Sequence, residues 1–149
     1  MSKIQKVNYI VVHHSASSTN LKMEDLKRIH LEKGWSDIGY HKVIEWNGKV
    51  KQGREESDIG SQAFGLNSES LGICVIGNFE NIEPSDSQIH SLIQTLAILC
   101  KKHNLTKDKI LGHRDVSTIK RDSSLATACP GKNLYLLLPF IREQVGAYL

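Results

Sequence analysis

Cysteine is scarce in this chain: Cys74, Cys100 and Cys129 are the only three in 149 residues. They form no close pair, and so sparse and odd a set argues against the disulfide framework of a small secreted domain and for synthesis in a reducing compartment. Long apolar runs are lacking too. The N-terminal MSKIQKVNYIVVHHSAS carries an apolar stretch only from Val7 to Val12, which His13 and His14 end, too short for a signal-peptide core. No stretch approaches the roughly 20 apolar residues that cross a bilayer. The expectation is cytoplasmic synthesis without a signal peptide and no membrane partner, so that any substrate outside is reached after release or delivery. Repeats, low-complexity tracts and Pro/Gly/Ser linkers are absent, as are the local zinc spacings H-E-x-x-H and C-x-x-C. Charge of one sign is also in short supply. A net +3 is compatible with an anionic polymer but requires no charged partner.

What remains suits one globular domain spanning 1–149, with 40% hydrophobic residues for a core and 23% charged residues for a surface. Val7 to His14 reads as a buried strand, being short, β-branched and bounded by polar residues. Met23, Leu26, Ile29 and His30 recur at helical spacing, with Asn20 as cap and Gly34 as stop. Asn47-Gly48 predicts a tight hairpin turn between Tyr40–Trp46 and Lys49–Lys51. Gly53 to Asn67 reads as loop, Leu71 to Ile76 as a second buried strand. Ser85 or Asp86 opens a helix with Ile89, Leu92, Ile93, Leu96, Leu99 and Cys100 on its apolar face. Ile110-Leu111 is a short strand leading into Gly112-His113-Arg114-Asp115, and Ser117 to Gly131 reads as loop. A last helix opens at Asn133, buries Leu134, Leu137, Leu138, Ile141 and Val145, and carries Pro139 as a kink. Alternating strands and helices predict an α/β fold with a single mixed central β-sheet flanked by helices.

Catalytic zinc takes three imidazole, thiolate or carboxylate ligands and keeps one position for water. His13 ends the first strand, His113 follows a short strand, and Cys129 precedes Pro130 in a polar loop outside any apolar period. Only tertiary folding can bring them together, and a strand-end histidine also serves as an ordinary hydrogen-bonded residue. His13 and His14 must face opposite sides of the sheet, so one at most joins a given site. His30, His90 and His103 read as surface or boundary residues. Cys74 and Cys100 lie on apolar stripes and read as core. A tyrosine at a strand start, such as Tyr40, also has an ordinary packing role.

The segments VVHHSAS, GYHKVI, GSQAFGLNSESLGICVIGNFE, GHRDVS and TACPG, in this order from Val7 to Gly131, resemble the type-2 N-acetylmuramoyl-L-alanine amidases. That family includes small phage lysozymes of the T7 type, and the peptidoglycan recognition proteins share its fold. The resemblance implies zinc-dependent hydrolysis of the amide joining N-acetylmuramic acid to L-alanine in peptidoglycan. It implies Zn2+ held by His13, His113 and Cys129, and catalytic roles for Tyr40 and Thr127. Thr127 stands where the phage enzymes carry lysine and catalytic recognition proteins commonly carry threonine. A hydroxyl there donates a hydrogen bond to the oxyanion but no charge, unless Arg114 or His41 compensates. The loop from Gly60 to Ser70 is expected to wall the groove, with Asn67 and Ala63 as muropeptide contacts and His41 a further one. Gln62 and Leu66 depart from the histidine and tyrosine common in this loop, which bears on those contacts.

Two other functions stand beside a wall-lytic amidase acting as a monomer. One is a non-catalytic peptidoglycan-binding module, which Thr127 and the altered loop favour and Cys129 opposes, since non-catalytic members generally lose that cysteine. The other is a partner role like the polymerase restraint of the T7-type lysozyme, which the matched motifs do not carry. The cations from Lys101 to Arg121 are interrupted by Asp108 and Asp115 and lack aromatic interleaving, so they read as a solvated face with no nucleic-acid partner.

Overall fold

The chain's structure is a computed structural model that describes residues 2–149. The β-branched run at the start forms β1 (Tyr9–His14), which lies inside the sheet and is buried on both faces from Ile10 onward. β4 (Ser70–Val75) pairs with it in parallel, setting His13 opposite Cys74 and Val11 opposite Gly72. On its other side β1 pairs in parallel with β5 (Ile110–Gly112). β2 (Lys42–Ile44) runs parallel to β4, and β3 (Val50–Gln52) closes the edge antiparallel to β2. The order β3-β2-β4-β1-β5 makes one mixed five-stranded sheet. Parallel central strands need cover on both faces, which explains their continuous Val/Ile/Leu runs.

Alternation along β1 separates the two layers. Ile10 and Val12 point into the larger core, built with α2 (Asp86–His103) and α4 (Lys132–Gly146) from Leu92, Leu96, Leu99, Leu134, Leu138, Ile141 and Val145. Each such side chain contributes about 1.5–3 kcal/mol by leaving water. Val11 points the other way, towards Ala63, Leu66, Leu111 and Val116, the last on α3 (Asp115–Lys120). Farther along that face, Leu26 of α1 (Met23–Glu32) packs with Ile38, Val43, Cys74 and Ile76. His13 follows Val11 by two residues and so emerges between these two smaller clusters.

Several local expectations are corrected. The hairpin is not a two-residue turn. The Gly48 N–H donates to Glu45 C=O at 2.8 Å, the Glu45 N–H donates to Lys49 C=O at 2.9 Å, and Gly48 alone has positive φ, +87°. That is a three-residue connection ending in a left-handed glycine. Asn20 does not cap α1. The helix starts from Lys22, whose N–H donates to Asp25 Oδ2, while Glu45 Oε2 accepts the Met23 N–H at 2.9 Å. A cap supplied from 22 residues away leaves no local signal. Ser85 caps α2 as expected, its hydroxyl accepting the Gln88 N–H and donating to Trp46 C=O. The segment read as loop after Ser117 contains most of α3, followed by a 3-10 turn at Ser123–Leu125. So short a helix, with Val116 as its buried residue, shows no period. α4 carries Pro139 inside it and continues to Gly146. His30 is buried rather than superficial, its Nδ1 accepting the Gly39 N–H at 3.0 Å and its ring lying 4.5 Å from that of Trp35. No helix among the described residues is long and apolar enough to cross a membrane.

Candidate metal centre

Three segments distant in sequence meet on the face of the sheet that His13 shares with Val11. β1 delivers His13 at 1% exposure, the residue after β5 delivers His113, and the loop leading into α4 delivers Cys129. One ligand atom from each lies within 4.8 Å of the others. The His13 and His113 ring centroids are 4.5 Å apart, and Cys129 Sγ is 3.6 Å from His13 Nδ1. Zinc bonds of 2.3 Å to sulfur and 2.1 Å to nitrogen at a tetrahedral angle separate the two ligand atoms by about 3.6 Å. The donor set therefore fits a divalent ion of borderline softness. His14, as strand alternation requires, faces away: its Nδ1 accepts the Phe79 N–H at 3.1 Å.

Electrostatics favours ligands over free bases. Burial pushes His13 well below its ordinary 6.5, and the neighbouring His113 pushes it further; burial also lowers His113. Both imidazoles are thus neutral near pH 7, as ligands must be. Burial pushes the Cys129 thiol up to about 12, opposed by the His14 N–H, which donates to Sγ at 3.4 Å, and by the Arg114 charge. An N–H aimed at sulfur and a nearby cation suit a thiolate once a cation has displaced the proton.

Tyr40 stands beside the trio, with ring centroids 5.0 Å from His13 and 5.8 Å from His30. Burial first, then Cys74 and Cys129, raise its phenol well above 10, so near pH 7 it is a hydrogen-bond donor. Thr127 reaches back along its own loop, Oγ1 accepting the Cys129 N–H at 3.2 Å.

The other expected site residues are engaged within the fold. Ala63 is 0% exposed and packs against Val11 and Leu66, so its side chain belongs to the core. His41 is likewise 0% exposed: its Nδ1 accepts the Gly72 N–H and its Nε2–H donates to Asp58 C=O. It is a tie between β4 and the loop. Asn67 is half-buried, and its Oδ1 accepts the N–H groups of both Gln62 and Ala63, fixing the turn of the loop. Arg114 is pinned, its Nη2 donating to Ala128 C=O at 2.8 Å and its guanidinium 4.3 Å over the Tyr135 ring. The residue sequence reasoning passed over is Gln62, noted only as a departure in a loop. It is buried, with Oε1 2.5 Å from His13 Nε2. Its position in sequence, 49 residues from His13, gives no sign of that contact.

Residues 3–132 match the family model described as N-acetylmuramoyl-L-alanine amidase. The endolysin of Enterobacteria phage T3 is 33% identical over 132 residues, covering 84% of this chain and 81% of its own. Among solved structures, the N-acetylmuramoyl-L-alanine amidase LysC from Clostridium intestinale is 33% identical with a TM-score of 0.78, covering 99% of this chain and 91% of its own. Drosophila peptidoglycan recognition protein SD is 31% identical with a TM-score of 0.78, covering 93% and 83%.

Proposed function

Because the chain belongs to the N-acetylmuramoyl-L-alanine amidase family and has its activity, we propose that it works as a zinc-dependent wall lysin through His13, His113 and Cys129. The observation carrying this reading is the convergence of those three donors, two held neutral by burial, from three separate segments. The substrate is the amide between N-acetylmuramic acid and L-alanine, within one amidase domain. Zinc bound there supplies a Lewis acid and brings the pKa of a site water towards about 7.

The chain's own residues do the rest. His13 and His113 present lone pairs without carrying charge, and Cys129 contributes the one anionic ligand. Tyr40, kept protonated by its surroundings, donates its phenolic hydrogen to the oxygen of the lactyl carbonyl as negative charge grows there. Thr127 has its oxygen occupied by the Cys129 N–H, which leaves its O–H to donate to the same oxygen. This support is neutral, and weaker than a cation at that position would give. The likeness to phage endolysins supports a protein that reaches the wall after release from the cell that makes it.

Mass spectrometry of digested peptidoglycan tests the reading. Free L-alanine amino termini appear only when zinc is bound, and glycan strands stay intact throughout. Tight binding to peptidoglycan without metal or cleavage would instead make it a binding module.

A further inference from the structure

The hydrogens between Leu66 and His13 can be assigned in sequence. Ser70 Oγ lies 2.7 Å from Leu66 C=O. A carbonyl has no hydrogen, so Ser70 must donate. Gln62 Nε2 lies 2.8 Å from the same Oγ. The serine's hydrogen is already spent, so the Gln62 NH2 donates to it, and the amide orientation is fixed. Gln62 Oε1 must then face His13 Nε2 at 2.5 Å, and only a hydrogen on Nε2 makes that contact attractive. His13 is thereby held as the Nε2–H tautomer, with the lone pair on Nδ1, the nitrogen 3.6 Å from Cys129 Sγ. The whole chain is buried: Ser70 is 0% exposed, His13 1% and Gln62 8%, so little water competes.

A backbone feature points to the same arrangement. A Cβ added at Gly72 would lie 2.6 Å from Gln62 Cδ and Cγ. Gly72 is opposite Val11 on the neighbouring strand, two residues before Cys74, and its bare backbone provides the space in which the carboxamide lies.

We propose that Gln62 is a positioning residue that sets the tautomer and ring orientation of His13 before metal arrives, that Ser70 and Leu66 orient Gln62, and that Gly72 leaves it room. This rests on the reading of His13 as a metal ligand. An amide in this place keeps one charge state at every working pH and accepts from Nε2–H throughout. The opposite orientation would put a hydrogen on Nδ1 and block the coordinating nitrogen.

The test separates tautomer from metal. Long-range 1H–15N correlation spectra of the metal-free full chain at neutral pH report which His13 nitrogen carries the proton, and chelator competition reports zinc affinity. The native protein shows Nε2–H alone. Gln62→Leu shows a mixture or Nδ1–H and loses about 10- to 100-fold in zinc affinity. Gly72→Ala displaces the amide by a different route and reproduces the leucine variant's spectrum; thermal melts and the remaining histidine signals confirm that each variant is folded. If folded Gln62→Leu keeps a pure Nε2–H signal and native zinc affinity, the positioning role is overturned while the metal site stands. If native protein takes up no zinc, the metal reading falls, and the tautomer comparison still decides what Gln62 does.

Discussion

The Thr127 hydroxyl oxygen accepts the Cys129 N–H at 3.2 Å, which braces the cysteine loop and leaves the O–H as a donor. Thr127→Ser preserves both properties and is expected to stay near native turnover. Thr127→Val removes both and should lower kcat by about 100-fold. Thr127→Lys adds a cation, and with zinc content unchanged its kcat should rise. Steady-state kinetics with zinc analysis on the three variants checks this, and unchanged turnover in the lysine variant would show that charge at this position is not limiting.

Tyr40 should act on the transition state more than on binding. Its ring lies 5.0 Å from that of His13, and its surroundings hold the phenol protonated near neutrality. Tyr40→Phe keeps the ring and removes the donor. The expected result is a kcat lower by about 100- to 1,000-fold, with KM and bound zinc little changed. A loss confined to KM would assign the hydroxyl to substrate binding instead.

Acid should weaken the metal-free fold before carboxylates are involved. Burial lowers His41 below its ordinary value, and its Nδ1 accepts the Gly72 N–H, which a second ring proton would prevent. The unfolded chain takes up that proton near pH 6.5 and the folded chain does not. The stabilisation is therefore complete above about pH 6.5 and is lost as pH falls towards the lower folded value. The slope is at most about 1.4 kcal/mol per pH unit for each such group. His30 is shifted in the same direction by burial. Urea titrations of chelator-treated protein between about pH 7.5 and 5.5 measure it; a flat profile would contradict the burial argument.

How far the sequence exposed all this depends on whether a signal is local. β1 and β4 announce themselves because a strand covered on both faces needs an unbroken apolar run. Ser85 is legible because cap and helix are adjacent. Glu45 over the start of α1, His30 beneath Gly39 and Gln62 against His13 are not, because each bond joins residues that the chain separates by a loop or more. The donor trio comes from three separate segments, and ordered motifs rather than spacing made it visible. Ala63 and His41 lie inside matched segments, yet the packing of one and the two hydrogen bonds of the other join partners that no motif announces.

Zinc-edge X-ray absorption on the reconstituted full chain tests the central claim most directly. One sulfur at about 2.3 Å and two imidazole nitrogens at about 2.0–2.1 Å are expected, with the sulfur lost in Cys129→Ser. A shell of oxygen and nitrogen alone in the native protein, unchanged by that substitution, would contradict it.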